Sequence, residues 1–272
     1  MKCTDIGGIM EIREISKSLF GVDEAVFAEA ILNSPNARGY ILGAISELIL
    51  KSELEASGLQ VRRIKEKWEG EKKHHGDFYA STDGKSWFIV ESKGLKSNSE
   101  KWANSGSKSI FETFSKKNAS SPEGNWFKSL DSGGLKKLRD ETSSNPFRLC
   151  QTHMPSGKST NGKLNRRTQA SPRFDEFHLL AVDLFSKTGK HEFVYAISNE
   201  LSRSKKDNNH LLQNYFITLV EPSNFRPILP LAYPWTQDLK SVFKQLKSPV
   251  DVREMQIDER APGERAEGVL SF

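Results

Sequence analysis

The stretch GDFYASTDGKSWFIVESKG, residues 76–94, places charged side chains in what otherwise reads as two apolar β-strands. The Asp-Gly pair between the apolar runs is typical of a tight hairpin turn. Asp77 begins the first run, and Glu91 and Lys93 close the second. A charge buried in a sheet is costly unless it has a partner, a metal or a chemical role. This hairpin therefore limits what the chain can fold into and do.

The faces of the predicted strands decide whether the three charges meet. Glu91 and Lys93 are two positions apart and point to the same face. A three-residue turn with Gly84 in the left-handed conformation places Asp77 opposite Ile89 and on the face of Glu91, whereas a two-residue turn sends Asp77 to the other face. In the first register, two carboxylates and one ammonium group converge at one end of the sheet.

Such a group has two interpretations. Two carboxylates can bind Mg²⁺, which polarises a phosphate and activates a water, while a lysine stabilises the developing charge. The alternative is an ordinary salt bridge on an exposed sheet face. The preceding predicted helix favours the first interpretation, because Glu47 is the only charged side chain between Arg38 and Lys51. A metal or Lys93 would supply the positive charge it needs, unless Glu47 is simply exposed on a surface helix.

These elements resemble the core of the PD-(D/E)XK nuclease superfamily: a helix with Glu47, a strand, a strand with Asp77, a hairpin, and a strand closing with VESK. The resemblance covers about residues 38–96. It implies an α/β fold with a restriction-endonuclease-like core, in which helices flank a mixed central β-sheet and further loops and helices are inserted. It also implies that Asp77 and Glu91 are metal ligands, that Lys93 is the catalytic lysine, and that Glu47 is an additional acid ligand from the helix.

The resemblance has one departure, since Gly76 stands where the motif's name has proline. That proline is often absent in the superfamily, so its loss weakens the match only a little.

A basic segment without acids follows the hairpin. No Asp or Glu occurs between Glu141 and Asp175, and such a positive field attracts polyanions. Arginine and glutamine can also read base edges. The residues predicted to contact DNA are Lys158, Lys163, Arg166, Arg167, Gln169 and Arg173. A solvated basic loop without a partner is the alternative.

The 272 residues are predicted to form a single nuclease domain, 1–272. Its core comprises about 38–96 and 175–200. The second part resembles the distal strands of many type II restriction endonucleases, and its acids Asp175 and Asp183 are expected to be structural or supporting. Residues 97–174 are predicted to be a DNA-contacting insertion. Residues 251–272 are predicted to be a peripheral tail.

Other features narrow the class of protein. No run approaches the roughly 18 apolar residues of a membrane span, and the N-terminus lacks an apolar signal core. Cys3 and Cys150 indicate neither a disulfide framework nor a zinc site, so a reducing cytoplasm is expected. PSGKST is not a nucleotide-binding loop, because Thr152 stands where the first glycine belongs, so no nucleotide cofactor is expected.

The sequence thus predicts a Mg²⁺-dependent, sequence-specific endodeoxyribonuclease. By resemblance it is a type II restriction enzyme that hydrolyses phosphodiester bonds in double-stranded DNA. A homodimer is expected, since two active sites related by two-fold symmetry cut both strands of a palindrome. The alternatives are a structure-specific or repair nuclease of the same fold, a non-catalytic DNA-binding protein, and a structural domain with coincidental charges.

Overall fold

The fold is described from a computed structural model of the chain, which covers residues 11–65, 74–95, 148–151, 173–201, 203, 209–211, 214–218, 231 and 233–259. The elements in chain order are α1 (Ile12–Phe20), α2 (Glu24–Asn33), α3 (Pro35–Ala56), β1 (Gln60–Arg63), β2 (Phe78–Ser81), β3 (Phe88–Gly94), β4 (Arg148–Gln151), β5 (Leu179–Asp183), α4 (Phe185–Thr188), β6 (Phe193–Ile197), β7 (Asn214–Thr218) and α5 (Leu239–Lys244). Short 3-10 helices cover Ser198–Glu200 and Val252–Glu254.

Helix α3 is the longest described helix, and its ends follow from the local sequence. Ser34 is the N-cap, and its hydroxyl accepts a hydrogen bond from the amide of Ala37 at 3.2 Å. Pro35 occupies the first turn, where its missing N–H costs nothing. After the helix, Gly58 adopts a left-handed φ of 90°, as predicted for a C-cap. None of the described helices is long and apolar enough to cross a membrane.

The central sheet has five strands in the order β1-β2-β3-β5-β6. The β1/β2, β2/β3 and β5/β6 pairs are antiparallel, whereas β3 and β5 run parallel. Strands β4 and β7 form a separate antiparallel pair. The prediction of an α/β fold with a mixed sheet flanked by helices is confirmed, and so is the predicted pairing of β5 with β6.

Both faces of the sheet are buried. On one face, Leu50 and Leu54 of α3 pack in a cluster with Phe78 and Val90, and α5 adds Phe243. On the other face the cluster contains residues such as Tyr79, Ile89, Leu180, Trp235 and Ile217. Sheets buried on both faces have nearly continuous apolar strands. The charged residues of this hairpin are accordingly found where the strands begin or end.

The hairpin register differs from the prediction. Tyr79, not Asp77, lies opposite Ile89, so the predicted pairing is wrong by two residues. The turn is longer than three residues because the Asp83 carboxylate accepts hydrogen bonds from the amides of Lys85 and Ser86 at 2.8 and 2.7 Å. A shift of two residues preserves the face of every side chain, whereas a shift of one would not.

The segment after Val250 lies against the sheet. The amide of Lys65 donates to the carbonyl of Gln256 at 2.9 Å, and the amide of Asp258 donates to the carbonyl of Arg63 at 3.0 Å. Ile257 pairs with Ile64 in an antiparallel bridge. The first part of the tail predicted as peripheral, 251–272, therefore covers the edge strand β1. The residues after 259 lie outside the described part of the chain.

Candidate active site

The strand directions bring the ends of five strands to one edge of the sheet. Strands β1, β3 and β5 end there, and β2 and β6 begin there. We call this edge the site edge. It carries Arg63 at the end of β1, Asp77 before β2, Lys93 near the end of β3 and Asp183 at the end of β5.

The three predicted site residues of the hairpin come together at the site edge. The Asp77 carboxylate accepts a hydrogen bond from the amide of Ser92 at 2.6 Å, which places it beside β3 between Glu91 and Lys93. The Lys93 ammonium forms an ion pair with Glu91 and also donates to the carbonyl of Ser92 at 3.1 Å. The Lys93 side chain is 26% exposed and the Glu91 side chain 13% exposed, so the pair is largely shielded from water.

Burial and neighbouring charges shift two groups of this cluster. Burial raises the pKa of Asp77 well above its usual value, and the negative charges of Glu91 and Glu47 raise it further, against the lowering effect of Lys93 and of the Ser92 amide. Burial acts to lower the pKa of Lys93, but Glu91, Asp77 and Glu47 outweigh it and the pKa is raised. The lysine is therefore a permanent cation at neutral pH, while Asp77 lies in an excess of negative charge.

Glu47 reaches the same neighbourhood from α3. Its carboxylate accepts a hydrogen bond from the Arg63 guanidinium at 2.8 Å, and both side chains are about one-fifth to one-quarter exposed, at 24% and 21%. The direct partner is thus Arg63, where the sequence predicted a metal or Lys93. Arg63 was not among the predicted site residues. The alternation of QVRR places it on the face of α3, but only the register of β1 reveals which residue it meets.

Gly76 explains the missing proline of the motif. Its φ is +154°, far from the value of about −65° to which proline is fixed. A Cβ atom at this position would lie 2.3 Å from Cγ2 of Ile89. No side chain fits there without movement of β3, so the chain enters β2 over a glycine. This entry sets the backbone that carries Asp77.

The donor chemistry of the cluster fits a magnesium ion. Asp77, Glu91 and Glu47 offer carboxylate oxygens, the ligands that Mg²⁺ prefers. Three carboxylates face two cations, Lys93 and Arg63, and the raised pKa of Asp77 reports the surplus negative charge. Among the described residues, no three His, Cys, Asp or Glu side chains form a ready metal cage. Asp77 with Glu91, and Glu47 as the further acid, are the residues that would hold the ion.

Most of the residues predicted to contact DNA, namely Lys158, Lys163, Arg166, Arg167 and Gln169, lie outside the described part of the chain. Arg173 is described, and its guanidinium forms a bidentate pair with Asp175, with nitrogen–oxygen distances of 2.9 and 2.8 Å. This pairing lowers the pKa of Asp175. Both side chains are nearly half exposed, so Arg173 faces solvent in the company of an acid.

Comparisons of the chain with family models, with curated proteins and with solved structures gave no match. A functional proposal therefore depends on the chemistry and placement of these residues.

Proposed function

We propose that this chain is a Mg²⁺-dependent endodeoxyribonuclease with a PD-(D/E)XK core, a type II restriction enzyme that hydrolyses phosphodiester bonds in double-stranded DNA. The observation that carries the proposal is the hydrogen bond from the Ser92 amide to Asp77, which brings this carboxylate beside Glu91 and Lys93. Helix α3 brings a further acid, Glu47, within electrostatic reach of both Asp77 and Lys93. Acids that converge on a lysine at a strand end are the arrangement that the hairpin sequence predicts.

Each side chain has a role that follows from its contacts. Asp77, Glu91 and Glu47 would hold the ion, and a bound Mg²⁺ supplies polarisation of the phosphate and a lower pKa for a water. Lys93 remains protonated because the surrounding carboxylates raise its pKa, so it can donate to the oxygen on which negative charge develops. Arg63 holds the Glu47 carboxylate in place until the ion competes for it.

The choice of substrate rests on charge. The window between Glu141 and Asp175 contains Lys and Arg but no acids, which suits a polyanionic backbone. Its Arg166, Arg167 and Gln169 are able to read base edges. Sequence-specific cutting of both strands is simplest for two copies related by a two-fold axis, so the proposed form on DNA is a homodimer.

The experiment that tests this function is incubation of the purified protein with unmethylated phage DNA in Mg²⁺ and, in parallel, in EDTA. We expect discrete fragments in Mg²⁺ only, and the sequences of their ends give the recognition site. A smear of fragments would instead identify a non-specific or repair nuclease. DNA binding without any cleavage in Mg²⁺ would identify a non-catalytic DNA-binding protein and contradict the proposal.

A further inference from the structure

A second polar group lies on the site edge, two strands from Lys93. At the end of β5, the Asp183 carboxylate accepts a hydrogen bond from Nδ1 of His191 at 2.7 Å. The Asp183 side chain is only 4% exposed, whereas the His191 side chain is 22% exposed. The buried carboxylate therefore lies behind an imidazole that reaches solvent.

The orientation of the imidazole is fixed from two sides. Its ring stacks flat on Phe185, with centroids 4.2 Å apart and an interplanar angle of 7°. Because an ionised carboxylate only accepts hydrogen bonds, the Nδ1 of His191 carries a proton towards Asp183. Nε2 lies on the opposite side of the ring, and among the described residues no hydrogen bond is made to it. A polar atom held this rigidly is preorganised for a ligand.

The pair is more than a fastening of the β5–β6 connection. Asp183 already caps the start of α4 by accepting a hydrogen bond from the amide of Phe185 at 2.9 Å. The connection is also closed by backbone bonds, from the amide of Leu184 to the carbonyl of Glu192 at 2.9 Å. The His191 ring satisfies no backbone group, so the turn does not require an imidazole there.

The register places this pair next to the candidate active site. Asp183 lies opposite Gly94, the residue after Lys93, in the parallel β3/β5 pair. His191 precedes β6, the next strand, and neighbouring strands are about 4.8 Å apart, so it lies roughly 10 Å along the site edge from β3. One strand of duplex DNA advances about 3.4 Å per nucleotide along the helix axis. The separation thus matches a phosphate about three nucleotides from the one at Lys93.

We propose that His191, held by Asp183 and Phe185, donates Nε2–H to a backbone phosphate of the DNA a few nucleotides from the scissile bond. The exposed Lys190 beside it adds positive charge to this end of the site edge, and the acid Glu192 follows it. The inference rests on the proposed function, because the phosphate belongs to the proposed substrate. It adds a substrate-binding position that the hairpin motif does not contain.

The test uses two substitutions that separate the two ring nitrogens. In His191→Asn the side-chain amide can still donate to Asp183 in place of Nδ1, but the group at Nε2 is lost. In His191→Gln the amide extends to the position of Nε2. Affinity for a fluorescent 30-base-pair duplex is measured in EDTA over a range of salt concentrations. Any sequence serves, because phosphate contacts do not depend on sequence.

We expect His191→Asn to weaken binding roughly ten-fold, as for a lost hydrogen bond to a charged group, and to reduce the salt slope by about one. His191→Gln should retain most of the affinity. Lys190→Ala is the matched control for general charge and should have a smaller effect. The inference is overturned if His191→Asn binds like the wild type or no worse than Lys190→Ala. Failure of the wild type itself to bind DNA would instead contradict the proposed function.

Discussion

Gly76→Ala tests the geometry on which the candidate active site depends. The glycine has a φ of +154°, and an added Cβ would lie 2.3 Å from the Ile89 side chain and 3.3 Å from the Val90 carbonyl oxygen. Residues with side chains are strained at such a φ by about 1–3 kcal/mol. Forcing a methyl group into a packed core costs about 1–3 kcal/mol in addition. Because one backbone shift relieves both, we expect a total loss of about 3 kcal/mol in the free energy of unfolding.

Gly84→Ala is the matched control in the same hairpin. Its φ is +70°, and an added Cβ would meet only the flexible end of Gln60, at 3.0 Å. The expected loss is the left-handed strain alone, about 1–2 kcal/mol. Urea denaturation measures both variants, and an unchanged slope against urea concentration ensures that the unfolded states are comparable. If Gly76→Ala is no less stable than Gly84→Ala, the close approach of Gly76 to Ile89 is not present in the protein.

Two further predictions concern the charges at the site edge. Arg63→Met leaves the Glu47 carboxylate three-quarters shielded and without its guanidinium, so the free energy of unfolding should fall by about 2 kcal/mol, and Glu47→Gln in the same chain should restore part of it; full additivity of the two losses would show that the pair does not interact. Burial and Glu91 raise the pKa of Asp77 in the folded state, so the folded chain binds this proton more tightly than the unfolded chain and stability decreases as pH rises above about 4. Without divalent cations, Asp77→Asn should therefore melt at a higher temperature than the wild type at pH 8 and at a similar temperature near pH 3. An equal or lower melting temperature at pH 8 would contradict the electrostatic account.

The elements of the sheet could be predicted wherever their pattern was local. The end of the N-terminal helices near Pro35, the C-cap at Gly58 and the hairpin of β5 and β6 all follow from capping and turn residues. The meeting of Asp77 with Glu91 and Lys93 depended on the parity of the register, and an error of two residues left it intact. Alternation is thus more robust than the turn type from which it was inferred.

Contacts between distant segments could not be read from the sequence. Arg63 meets Glu47 only because α3 crosses the face of β1, and nothing in VRRIK identifies that partner. The acidic tail reads as peripheral, yet Gln256 and Asp258 bond to the end of β1 because an edge strand leaves its backbone groups without partners. His191 lies eight residues from Asp183, and only the strand pairing brings the two side chains into contact.

The most direct test of the central claim compares DNA cleavage by Lys93→Ala with cleavage by Lys85→Ala in Mg²⁺. Lys85 is an exposed lysine in the turn of the same hairpin, so the two variants lose the same charge from the same element. The account predicts that Lys93→Ala binds DNA nearly as well as the wild type but cleaves it at least a hundred-fold more slowly, in line with the loss of one group that stabilises the transition state. Lys85→Ala should cleave at the wild-type rate. Normal cleavage by a folded Lys93→Ala protein would contradict the assignment of this cluster as the active site.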